Sequence, residues 1–265
     1  GGTGVNVTSS LAEVDASVDW DTAPLDYSLY PDFKPSLGFL MRGCRLRCGF
    51  CVVPRSEGKP RAVASVRDVW RGDGHPRRLL LLDNDPFATE LRSHWFDAIR
   101  EIREGNFKVC WNQGINLRLV DDESAGAIAS VQYRDNEFKE RRLYTAWDNL
   151  RDEDTFRRGV ETLRRAGVPP SHLMVYMLVG YRAEETWEDV FYRFRELVSL
   201  GCRPYPMVFD RRARPDLCAF QRWVLTGLYR AVPWPDYREG GARLNEPARS
   251  LSDSAWKRVA CRGAP

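Results

Sequence analysis

Short apolar runs alternate with amphipathic stretches along most of the chain, and this alternation restricts the fold more than any other feature. The strand candidates are Leu37–Met41, Arg78–Leu82, Phe107–Trp111, Leu143–Trp147, Leu173–Val179 and Tyr205–Phe209. They recur at roughly 30–40 residues, the length of one strand–helix unit. Between them, Phe156, Val160, Leu163 and Ala166 fall on one helical stripe. Trp187, Val190, Phe191, Phe194, Leu197 and Val198 line one face of the next helix. Trp95, Ile99 and Ile102 mark an earlier helix, and Phe220, Trp223, Val224 and Leu228 a later one. Thr186 with Asp189 resembles a capping box, with Asp in place of the usual Glu. Gly167 and Gly201 stand where left-handed helix C-caps are expected. Six strand–helix units in series predict an α/β protein with a parallel sheet and right-handed crossovers. Six are too few for an eight-unit barrel, which leaves an open, partial barrel or a doubly wound sheet. In both, functional groups belong at the carboxyl ends of the strands.

The 265 residues, 43% of them hydrophobic, are enough for a substantial core and exclude a disulfide-stapled miniprotein or a disordered tail. Residues 1–36 read as a lead-in punctuated by Pro24, Pro31 and Pro35, 37–232 as the strand–helix region, and 233–265 as an irregular C-terminal extension. The longest apolar stretch, His172 to Tyr181, is far short of a membrane span. No secretory h-region opens the chain, so a reducing, cytoplasmic setting is expected. The Gly1-Gly2-Thr3-Gly4 start suggests a piece of a longer protein. A net charge of +3, carried mostly by arginine, does not indicate nucleic-acid binding.

The chemistry-bearing motif follows the first strand candidate. Gly43-Cys44-Arg45-Leu46-Arg47-Cys48-Gly49-Phe50-Cys51 places three thiols at C-x3-C-x2-C spacing, with two glycines to bend the loop. Such a loop can converge three sulfurs on one point, and thiolates suit zinc or iron–sulfur clusters. Structural zinc normally takes four ligands, and here the other cysteines, Cys110, Cys202, Cys218 and Cys261, are scattered singly and read as small buried hydrophobes. Three ligands leave an open coordination position, the mark of a catalytic site. The bland alternative is a zinc or redox thiol cluster on an unrelated α/β domain, a non-catalytic regulatory module. His75, His94 and His172 have no ligand spacing and are assigned to structure or surface.

Cys44-x3-Cys48-x2-Cys51, with an aromatic residue before the last Cys, resembles the signature of radical S-adenosylmethionine (SAM) enzymes. The resemblance extends to the six-unit pattern and implies a partial (βα)6 TIM-like barrel, an open parallel sheet with outer helices. It further implies that Cys44, Cys48 and Cys51 hold a 4Fe-4S cluster whose open iron chelates SAM, with Phe50 near the adenine. The family's second-strand motif is often Gly-Gly-Glu; this chain has Asp83-Asn84-Asp85-Pro86, so Asp83 and Asn84 are the implied partners of the methionine amino group. At the third strand's end, Asn112, Gln113, Asn116 and Arg118 are candidates for ribose, carboxylate or substrate. At the fourth, Asp148 or Asn149 is the candidate for a ribose hydroxyl. In the fifth, Val179 and Gly180 are the carry-overs for a backbone strip at the adenine.

Asp210-Arg211-Arg212-Ala213-Arg214 fall on the catalytic rim of such a barrel. Arg45, Arg47, Arg55 and Arg61 flank the cluster loop, for an anionic substrate or a flavodoxin- or ferredoxin-type electron donor. The Gly1–Val5 start and the Asp26–Pro31 lead-in resemble the junction after an upstream cobalamin-binding-type domain, which keeps cobalamin-dependent methyl transfer as an alternative. RNA modification is a further one, disfavoured by the charge.

Overall fold

The computed structural model describes residues 17–237, apart from positions 20, 22, 24 and 88. Gly1–Val5, Pro24 and everything after residue 237, Cys261 included, lie outside the described residues. The chain divides into two compact units. The first runs up to Thr145 and takes in Thr155–His172; the second consists of Ala146–Asp154 and the chain from Leu173 on.

In the first unit, strands β1 (Ser36–Gly38), β4 (Arg78–Leu81), β5 (Lys108–Trp111) and β6 (Gln132–Tyr133) form one parallel sheet in that order. Strands β2 (Met41–Arg42) and β3 (Arg61–Ala62) form a separate antiparallel pair between β1 and β4 in sequence. Short helices α1 (Val53–Ser56) and α2 (Val66–Val69) occupy the same interval. Helix α3 (Arg92–Glu104) connects β4 to β5, and α4 (Asp122–Ala129) connects β5 to β6. The parallel sheet has apolar β4 and β5: Leu79, Leu81 and Val109 are fully buried. Burial of such a side chain is worth about 1.5–3 kcal/mol. On α3 the predicted stripe Trp95, Ile99 and Ile102 faces inward, each at most 4% exposed.

Strand β7 (Leu143–Ala146) ends at the division between the units, and α5 (Glu153–Arg165) buries Phe156, Val160 and Leu163 as its periodicity predicts. Gly159 on α5 is tied to a close approach: a Cβ there would collide with the Leu117 carbonyl.

In the second unit, β8 (Leu173–Val179) and β9 (Arg203–Val208) pair in parallel over Met174–Val179 and Arg203–Val208. Helices α6 (Trp187–Ser199) and α7 (Pro215–Leu225) follow them. Their apolar faces meet in an aromatic core. The Phe220 ring lies 5.2 Å from Phe191, 5.7 Å from Phe194 and 5.6 Å from Trp234. Trp234 is 2% exposed, so the described beginning of the region read as an irregular extension is part of this core.

The capping box of Thr186 and Asp189 is formed in both directions. The predicted glycine caps are formed too. Gly201 N donates to Val198 O and Cys202 N to Leu197 O, with Gly201 at φ +77. Gly167 and Val168 repeat the pattern on Arg164 and Leu163.

Three elements differ from the sequence expectation. Strand β1 stops at Gly38 rather than Met41. Helix α7 stops at Leu225, because Gly227 turns left-handed at φ +75 and puts Leu228 on a separate 3-10 turn, 38% exposed. The interval from β5 to β7 contains a whole extra unit, α4 and β6, in a stretch that shows little apolar periodicity. Its helix starts from polar chemistry: Asp121 accepts from Ser124 N at 2.9 Å, and Ser124 Oγ accepts in return from Asp121 N at 2.9 Å. Among the described residues no helix is long and apolar enough to cross a membrane.

Candidate active site

The early end of β1 has a cause in its hydrogen bonds. A bond from Leu82 N to Gly38 O closes the β1–β4 pairing at 2.9 Å. Beyond it, the amides of Leu40 and Met41 both donate to Asp83 Oδ1, each at 2.8 Å. A side-chain carboxylate has taken the place of the next strand, and the chain leaves the sheet into the cysteine loop.

The loop closes on itself at its base. Met41 and Arg42 pair with Ala62 and Arg61, and Cys44 N donates to Gly58 O at 3.2 Å. Gly43 sits at φ +80, and a Cβ there would collide with the Lys59 carbonyl. Glycine is therefore required twice over, by conformation and by space. Gly43→Ala is expected to cost about 1–3 kcal/mol. A urea midpoint equal to that of the parent chain would show that the loop base is not this tight.

Around this base Asp21, Arg42, Glu57 and Arg61 form an ion-pair cluster. Arg61 forks onto Asp21 with two bonds of 2.7 Å, and Arg42 Nη1 lies 3.6 Å from Glu57. Arg42 also lies over the Phe39 ring, 3.9 Å from its centroid.

Cys44, Cys48 and Cys51 carry thiols outside any disulfide and are of intermediate exposure. Leu46 N donates to Cys44 Sγ at 3.4 Å, and Cys51 N to Cys48 O at 3.0 Å. Burial pushes the Cys44 thiol up to about 11; the Leu46 amide opposes this, and the charges of Asp85, Cys48 and Cys51 add to it. Cys44 thus senses the other two sulfurs. The three are not drawn to one point: among the described residues no group of three or more His, Cys, Asp or Glu side chains is arranged to hold a metal ion.

The donor set itself suits a soft metal centre, whose positive charge turns mutual thiolate repulsion into attraction. Two further atoms suit a cationic ligand beside it. Asp83 Oδ2 and Asp85 Oδ1 are buried without any hydrogen-bond donor. An unpartnered buried oxygen costs roughly 1–3 kcal/mol, which an ammonium donor would recover.

The other predicted residues of the first unit are placed as follows. Phe50 lies half-buried in the loop. Asp83 is 2% exposed, and burial pushes its carboxyl up to about 7 against the two amide bonds. Asn84 Nδ2 donates to Glu57 Oε2 at 3.0 Å. Asn112 N extends the sheet to Leu81 O at 2.9 Å, and Gln113 is exposed beside it. Asn116 Oδ1 accepts from Arg118 N at 3.3 Å and Arg118 Nε at 3.0 Å, a local cap. Of the flanking arginines, Arg45 pairs with Asp85 at 3.2 Å, while Arg47 and Arg55 are exposed. His94 Nε2 lies 3.1 Å from Leu40 O, and His172 Nδ1 lies 2.7 Å from the Tyr133 hydroxyl, both structural positions.

In the second unit, Asp148 Oδ1 accepts from Leu178 N at 2.8 Å. Asn149 O accepts from Trp147 Nε1 at 2.7 Å. Val179 is fully buried, and Gly180, at φ +76, donates its amide to Glu185 Oε2 at 2.6 Å. Arg214 is paired with Asp216 at 2.8 Å.

The sequence reading missed the group that holds this cluster together. Arg193, 1% exposed on α6, bonds Leu178 O at 3.0 Å and Trp147 O at 3.2 Å, and it pairs with Glu185. Its only sequence signal is a charged residue inside the buried arc of an amphipathic helix, next to Phe194. Glu57 was missed as well; nothing in its spacing relates it to Gly43 and Asn84.

No family model, curated protein or solved structure matches this chain.

Proposed function

We propose that the chain is a radical SAM enzyme, with the 4Fe-4S cluster held by Cys44, Cys48 and Cys51. The observation that carries this reading is three thiols outside any disulfide on one clamped loop, which Asp83 and Asp85, each with a buried oxygen that lacks a donor, hold by its backbone. With the reading goes the partial (βα)6 barrel as the arrangement of the strand–helix units.

When bound, the cluster supplies the electron that splits the sulfonium of SAM into methionine and a 5′-deoxyadenosyl radical, which takes hydrogen from the substrate. The chain's own residues bind and orient. Asp83 Oδ2 and Asp85 Oδ1 accept from the methionine ammonium group. Phe50 offers its ring to the adenine. Asp148, Val179 and Gly180 are the contacts assigned to the nucleoside, and Asn112 and Gln113 the polar groups at the end of β5. Exposed Arg47 and Arg55 provide the positive face for an acidic flavodoxin- or ferredoxin-type donor, an attraction that weakens with salt.

The test is anaerobic reconstitution with iron and sulfide, followed by dithionite and SAM. The expected result is a broad charge-transfer band near roughly 400 nm and release of 5′-deoxyadenosine. A chain that takes up zinc but forms neither would refute the reading in favour of a zinc module.

A further inference from the structure

We propose that the Asp83-Asn84-Asp85 turn is the positioning device of the cysteine loop, gripping its backbone on both sides of Cys44. The role in loading a cluster rests on the proposed function; the grip on the backbone does not.

Three consecutive side chains reach three successive places. Asp83 Oδ1 takes the amides of Leu40 and Met41 at 2.8 Å each, where the chain leaves the sheet. Asn84 orients Glu57, whose Oε2 accepts from Asn84 Nδ2 and from Gly43 N, both at 3.0 Å. Asp85 Oδ2 takes Arg45 N at 3.4 Å and Arg45 Nε at 3.2 Å. Cys44 is bracketed by the grips on Gly43 and Arg45.

A polar turn after a strand is ordinarily solvated. Here Asp83 and Asp85 are each only 2% exposed, and burying two carboxylates is costly unless their bonds are used. One carboxyl oxygen accepts from two successive amides, so a single side chain holds two points of the backbone. The turn is anchored to the sheet: it follows β4 with only Leu82 between, and Leu79 and Leu81 of that strand are fully buried. The sheet thereby dictates where the first sulfur stands.

The experiment uses the full chain in two states. In the metal-free protein, amide hydrogen exchange is compared at Leu40–Arg45 and, as reference, at Leu173–Val179. Asp83→Ala is expected to speed exchange at Leu40 and Met41 at least tenfold and leave the reference unchanged. Asp83→Asn keeps an acceptor oxygen in place and is expected to restore protection. Asn84→Ala, which does not touch the loop directly, is expected to speed exchange at Gly43.

After reconstitution, Asp83→Ala is expected to hold less than half the parent's iron, and Asp83→Asn to recover it. Unchanged exchange at Leu40 and Met41 in Asp83→Ala would overturn the proposal. So would faster exchange there with the parent's full iron content. If Asp83→Ala unfolds and the reference segment also exchanges, Asn84→Ala decides, and parental protection at Gly43 overturns the idea. A parent chain that binds no iron defeats the enzyme reading alone, because exchange in the metal-free protein still decides the grip.

Discussion

In the radical SAM enzyme proposed above, Cys48→Ala is expected to remove the cluster altogether: iron falls from about four per chain to near zero, and 5′-deoxyadenosine formation is lost. The size of the effect follows from the ligand count. With three thiolates on the loop, one loss leaves two ligands, too few to hold a cubane in a solvent-accessible segment. The matched controls are Cys110→Ala and Cys202→Ala. Both are buried outside the cysteine loop, Cys110 on β5 with no exposure and Cys202 at 5%, and neither belongs to the C-x3-C-x2-C motif. Iron content in these two variants is expected to equal the parent's. Iron and sulfide analysis with the visible spectrum decides the matter. Full iron in Cys48→Ala, or loss of iron in Cys110→Ala, would overturn the ligand assignment.

How far the sequence reaches is seen at particular residues. The α6 face and its caps were readable because each depends on neighbours within one or two helical turns: Thr186 with Asp189, Gly201 with Val198, Phe191 with Phe194. The strand candidates were readable because buried parallel strands are apolar runs. The end of β1 was not, because its cause, Asp83, lies 43 residues from Leu40. A continuous run Leu37–Met41 reads as strand until a carboxylate from the next strand claims its last two amides. β6 was missed for the opposite reason. It is two residues long and its helix is only weakly amphipathic, so neither period registers there.

The candidate site divides in the same way. The cysteine spacing is local and was legible. The roles of Glu57, Arg45, Glu185 and Arg193 are set by contacts that no periodicity encodes. Such residues read as ordinary surface charge until the partners that bury them are known.

The Arg193–Glu185 pair supports the second large prediction. Arg193→Met is expected to destabilise the chain by about 3–5 kcal/mol, the range for breaking a buried ion pair from one side. Two costs add. The Leu178 and Trp147 carbonyls lose their donor, and Glu185, whose side chain is only 6% exposed, is left as an uncompensated buried charge. For a protein whose whole stability is about 5–15 kcal/mol, that is a large fraction, and the melting temperature is expected to fall by roughly 10 °C. The double variant Arg193→Met with Glu185→Leu removes the stranded charge and is expected to be more stable than Arg193→Met alone, despite carrying one more substitution. This non-additivity separates a charge pair from mere packing, because two independent packing defects would sum. Strict additivity in urea denaturation would show that the pair is not coupled.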